Sequence, residues 1–96
     1  MAEDVLHRRI SATQRVWEYA SRASARWQAT HARGLAHPDW PGMVCWATCV
    51  RREKSGRWSV VARYTTGDLD RDNSNEMRAY EQWKSRLHTE RRAAHG

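Results

Sequence analysis

The sequence predicts an α+β domain in the order helix, antiparallel β-hairpin, helix (α-β-β-α), and three observations carry that prediction. Residues 43–66 hold two runs rich in Val, Thr, Trp and Tyr around Lys54-Ser55-Gly56, the pattern of a hairpin with a three-residue loop. Ahead of it, Leu6, Ile10, Thr13, Trp17, Ala20, Ser24, Trp27 and His31 are spaced alternately four and three apart, a helical period. Behind it, Met77, Tyr80, Trp83 and Leu87 fall on one helical stripe.

The first element is expected as a helix over residues 3–33. Gly34 followed by Leu35 reads as its stop, with glycine in the left-handed position and the apolar residue folding back on the last turn. Unbroken, such a helix would be ~45 Å long at ~1.5 Å per residue, more than so small a monomer covers. It is therefore expected either to break near Ser11, where Ser11 with Gln14 forms a possible N-cap box, or to be covered by a second subunit.

Residues 37–42, with Pro38 and Pro41-Gly42, form a connector into the hairpin. A three-residue loop with left-handed Gly56 pairs Glu53 with Arg57, and then Arg52 with Trp58, Val50 with Val60, Thr48 with Ala62 and Trp46 with Tyr64. That register makes one face apolar and sends Cys45, Cys49, Arg51 and Arg63 to the other. After a polar loop, Asn73 with Glu76 reads as a capping box for a second helix over residues 74–91, with 92–96 as a frayed tail.

The 96 residues amount to a single small domain with a modest core. Fifteen arginines against two lysines and a net charge of +6 favour anionic partners, although abundant Arg and Ala also fit a G+C-rich gene. No stretch reaches the ~20 apolar residues of a membrane helix, and the start has no signal-peptide core, so a cytoplasmic protein with no membrane partner is expected. Cys45 and Cys49 lie about 13 Å apart along one strand and read as free thiols.

Residues 43–66 carry five basic residues against Glu53 alone, whereas 67–96 holds six of each sign. The hairpin tip, Arg51, Arg52, Lys54 and Arg57 with Trp58, is the first candidate nucleic-acid site, because basic ribbons follow phosphates and an adjacent indole stacks on a base or supports an arginine. A charged turn that protects a sheet edge accounts for the same residues. Arg8, Arg15 and Arg22 at heptad spacing, with Arg26 and Arg33 on the adjoining row, form a second candidate, a stripe on the outer face of the first helix. Trp17, Trp27 and Trp83 are assigned to core.

Other constellations are weaker. His31, His37, Cys45 and Cys49 lack zinc spacing, since the cysteines lie along an extended strand. Asp68, Asp70 and Asp72 resemble the start of a calcium loop, but Asn73 stands at its glycine and Ala79 at its bidentate glutamate. Asp39 with Glu53-Lys54 departs from the nuclease pattern, because the acid and lysine fall in a turn. No acid, base and nucleophile set stands out, so neither an enzyme nor a metal or other cofactor is expected.

The element order is similar to that of double-stranded-RNA-binding domains and of the arm-binding domains of phage integrases. A third strand and the diagnostic loop motifs of those folds are missing from the reading, and no family is assigned. The expected function is that of a small basic nucleic-acid-binding accessory protein, of DNA or RNA, in a bacterial phage or mobile element. The alternative is an interaction module or inhibitor, such as an anti-defence protein, that binds a nucleic-acid-handling complex. The long helix and the mixed outer sheet face add the expectation of a homodimer.

Overall fold

A computed structural model describes residues 11–95, with side chains through Arg92. The chain runs β1 (Gln14–Tyr19), α1 (Arg22–Ala32), β2 (Val44–Arg52), β3 (Trp58–Thr65) and α2 (Leu69–His95). The fold is α+β as predicted, but its order is β-α-β-β-α, with no long N-terminal helix among the described residues. The strands form one antiparallel sheet in the order β1-β3-β2, so the third strand that the sequence reading missed sits along the free side of the hairpin.

The helical period across residues 13–31 conceals a strand. In QRVWEY, valine, tryptophan and tyrosine favour extended backbone, and their alternation sends Trp17 and Tyr19 to one sheet face. β1 then pairs along β3, with Trp17 opposite Val60 and Tyr19 opposite Trp58. The helix begins only after Ser21, whose hydroxyl accepts the Ser24 N–H at 3.2 Å and caps α1, while the Ser11 hydroxyl accepts the Gln14 N–H at 3.2 Å at the entry to a strand rather than to a helix. Residues 3–10 of the expected helix lie outside the described residues.

Helix α1 packs through alanines rather than through its tryptophan. Ala25, Ala29 and Ala32 are buried, whereas Trp27 is 61% exposed. Without longer side chains in between, the helix backbone approaches the sheet closely enough for the Thr48 hydroxyl to donate to the Ala29 carbonyl at 2.9 Å. Gly34 has the expected left-handed backbone, φ 85°, but Leu35 stays 57% exposed and does not fold back. The following segment instead pairs with the start of β2: Gly34 N–H donates to Cys45 O and Cys45 N–H to Leu35 O, both at 2.9 Å.

The hairpin loop forms as expected. Glu53 N–H donates to Arg57 O at 2.8 Å, and Gly56 takes φ 88°. The predicted pairs Arg52–Trp58, Val50–Val60 and Thr48–Ala62 are present. Beyond them a β-bulge at Trp46 shifts the register, so Tyr64 faces Cys45 instead of Trp46. One extra residue reverses the parity: Cys45 is buried and Trp46 is 62% exposed, the opposite of the expected arrangement.

Two apolar clusters lie on the α1 side of the sheet. Val60, Ala25 and Ala29 pack with Trp17, Tyr19, Val50 and Trp58 at one end. At the other, Met43, Cys45, Ala62 and Tyr64 pack with Ala12, Ala32 and Ala79, and Trp17 contributes to both.

Helix α2 starts five residues before the expected position and extends to His95, past the expected end at residue 91. Its cap is Asp68, whose Oδ1 accepts the N–H of Asp70 at 3.0 Å, and not Asn73. The first turns are tied down: the buried Asp72 accepts from both hydroxyls of Thr65 and Thr66 and from Thr66 N–H. Glu76 accepts from Ser11 Oγ at 2.8 Å and Thr13 N–H at 3.0 Å, so it serves a tertiary contact instead of a capping box. No helix among the described residues is long and apolar enough to cross a membrane.

Candidate nucleic-acid interface

The arginines of α1 follow from its alanine seam. With Ala25, Ala29 and Ala32 toward the sheet, the 100° step per residue sets Arg22, Arg26 and Arg33 on the flank that faces β2, with Trp27 and His31 on the outer crest. Arg33, the C-cap residue, donates from Nε to Thr48 Oγ1 at 3.1 Å, which anchors that end of the row on β2. Between them, Arg26, Thr30 and Arg33 form one wall of an open groove of about 200 Å³, and Thr48, Cys49 and Val50 form the other.

At the N-terminal end of α1 the row meets the hairpin. The Trp58 ring lies under two guanidinium groups, that of Arg22 at 5.7 Å and that of Arg52 at 5.8 Å from its centroid. Cation–π attraction offsets part of the repulsion between the like charges. Among the described residues, none of Arg22, Arg26, Arg33 and Arg52 forms an ion pair, so this face keeps its full positive charge.

The hairpin tip is divided between the two sheet faces. Arg52 and Trp58 point to the α1 side. Arg51, one residue away, turns to the opposite side and meets Glu53 at 3.2 Å, and Arg57 meets Glu18 at 3.6 Å. Lys54 is exposed in the loop. The expected heptad stripe does not exist as such: Arg15 lies in β1, its guanidinium 4.6 Å over the Trp17 ring, and of the other described arginines of the stripe Arg22 and Arg26 lie in α1 and Arg33 is its C-cap. Arg8 lies outside the described residues.

Sequence reasoning missed Trp27 by assigning it to core. Its indole stacks on His31 with centroids 3.8 Å apart and planes 17° from parallel, and His31 Nδ1 bonds to the Trp27 carbonyl at 2.8 Å. The signal that would have found it is the i, i+4, i+7 series Ala25, Ala29, Ala32, a complete buried stripe that leaves residue 27 on the far side.

The remaining titratable residues serve structure. Asp72 has its pKa below the ordinary value of 3.8: burial pushes it up, but hydrogen bonds from Thr65 and Thr66 to the carboxylate outweigh burial. His37 is buried edge-on to Tyr64 and accepts the Asp39 N–H on Nδ1 at 3.1 Å. Its pKa is lowered by burial first and by the Arg15 charge second, against upward pulls from Asp39 and the Ser11 carbonyl. That carbonyl lies outside hydrogen-bond geometry, since His37 Nε2 has no bonded partner among the described residues.

His31 and Cys49 are exposed while His37 and Cys45 are buried, and among the described residues no group of three or more His, Cys, Asp or Glu side chains is placed to hold a metal ion. Asp68 and Asp70 belong to the start of α2 rather than to an open loop. In comparisons with protein families, curated proteins and solved structures, nothing matches this chain.

Proposed function

We propose that this protein is a small nucleic-acid-binding accessory protein whose contact surface is the α1–β2 face. The observation that carries the reading is the pair of guanidinium groups, Arg22 and Arg52, around Trp58. It joins the helix row to the hairpin tip, so that Arg22, Arg26, Arg33 and Arg52 form one surface without acidic partners among the described residues. Folding brings like charges together here at an electrostatic cost, and a polyanion would remove it while releasing counterions. Arg51 and Arg57, paired with carboxylates on the opposite side, fall outside this surface.

The test is binding of labelled DNA and RNA across a salt series. Affinity is expected to fall linearly in log–log form with salt, with a slope of about −3 for three to four phosphate contacts. Absence of binding to both at ~50 mM salt, where phosphate contacts are strongest, would reject the reading.

A second reading, a module that docks on a nucleic-acid-handling protein, draws on Val44 and Trp46, exposed by 41% and 62% on edge strand β2. The edge itself is already paired with residues 34–37 at this end, and it is the two exposed apolar side chains that favour a protein partner or a second copy of the chain. A partner retained after nuclease treatment favours this reading, and sedimentation velocity measures the proposed homodimer.

A further inference from the structure

We infer that the α1–β2 face takes single-stranded nucleic acid, with an unpaired base stacked on Trp27. The inference rests on the nucleic-acid reading above and adds the class of strand.

Trp27 is 61% exposed on the crest of α1, opposite the alanines that seat the helix. Its conformation is nonetheless constrained. His31 stacks on one face of the indole at 3.8 Å and is itself held by the bond from Nδ1 to the Trp27 carbonyl, which leaves the other face toward solvent. An indole fixed in this way offers a flat apolar platform at little further cost in side-chain entropy.

The platform adjoins the phosphate-binding row. Arg26 precedes Trp27 by one residue, and Thr30 and Arg33 continue the same flank along the groove. A strand whose phosphates follow Arg22, Arg26 and Arg33 has bases free to turn over the crest. Stacking needs an exposed base face, which a duplex keeps inside its own stack, so a double helix would use the arginines and gain nothing from Trp27. Trp58 does not supply a second platform, because it is half-buried and already covered by Arg22 and Arg52.

Fluorescence anisotropy with labelled oligothymidylate, oligouridylate and a duplex of the same length tests this on the whole chain. Single strands of either sugar are expected to bind more tightly than the duplex. W27A is expected to weaken single-strand binding about ten-fold, within the range measured for one stacked base, while W27F keeps most of the affinity and W27A leaves duplex binding unchanged. Thermal melting of both variants controls for folding. Equal or tighter duplex binding, or a W27A variant that binds single strands like the parent, overturns the inference and leaves the basic face standing. Failure to bind any of the probes overturns both.

Discussion

Glu76 and Thr13, 63 residues apart in the chain, meet where α2 crosses the start of β1: the carboxylate accepts the Thr13 backbone N–H at 3.0 Å and its hydroxyl as well. Thr13 in turn gives its carbonyl to Tyr64 N–H at 2.8 Å, so one residue links α2 to the central strand. Charge-assisted hydrogen bonds contribute more than neutral ones, and their loss leaves a part-buried N–H unsatisfied. Glu76→Ala is expected to destabilise the fold by about 2–3 kcal/mol, and Glu76→Gln by less. A lower urea midpoint at unchanged m-value is the expected result, and an unchanged midpoint would show that the contact is dispensable.

Stability is expected to fall in two steps on acidification. Both His37 and Asp72 have folded pKa values below their ordinary ones, 6.5 and 3.8. In each case the unfolded chain takes up a proton at a higher pH than the folded chain. The contribution is therefore complete above the ordinary value and is lost as pH falls through the folded value. Thermal melting against pH should decline first below about 6.5, through His37, and again below 3.8, through Asp72. Replacing His37 with Gln removes the first step and leaves the second; if both steps survive, another group is responsible.

The hairpin was legible in the sequence because its loop chemistry and strand alternation are local. Lys54-Ser55-Gly56 defines the turn, and the turn defines three facing pairs. Legibility ends at Trp46, since a bulge depends on what each face meets in the folded protein: the small Cys45 fits beside Tyr64 in the core, and the indole is left outside. The N-terminal error has a related cause. Residues 13–31 fit a helical seam only if large aromatics mark the buried side, whereas the true seam of α1 is Ala25, Ala29 and Ala32. The arginines at 22, 26 and 33 were found for a stripe of different extent, and their convergence with Arg52 needed the crossover of α1 above the sheet.

The alanine seam can be tested directly. Ala25 is fully buried against Val60, in a helix whose backbone carbonyl at Ala29 touches Thr48. Leucine at Ala25 would push α1 off the sheet and break that contact, at a cost of about 1–3 kcal/mol typical of overpacking. The same substitution at Ala23, which is exposed, should change stability by no more than about 0.5 kcal/mol. Equal effects at the two positions would mean that the helix faces the sheet differently.

Gly56 isolates a backbone effect. Its φ of 88° lies in the left-handed region, and a Cβ built there meets nothing within 4 Å. Gly56→Ala therefore adds conformational strain without a clash, expected at about 1–2 kcal/mol, and Gly56→Asn adds less because asparagine tolerates this conformation. Loss of stability by the same amount in both variants would point to some feature of the loop other than φ.

Arg51 and Arg52, neighbours in sequence, allow the two sides of the hairpin tip to be separated. Arg52 shares the Trp58 ring with Arg22, while Arg51 is engaged with Glu53 on the opposite side of the sheet. A surface pair of the latter kind contributes little to stability, so removal of either arginine should leave the fold intact. If phosphates follow the α1–β2 face, Arg52→Ala weakens binding of every sequence alike and makes the salt slope shallower by about one unit, whereas Arg51→Ala changes neither. Fluorescence anisotropy across a salt series reads both quantities. Equal losses from the two variants would require a ligand that wraps the whole hairpin tip, and would remove the reason for placing the contact on one face.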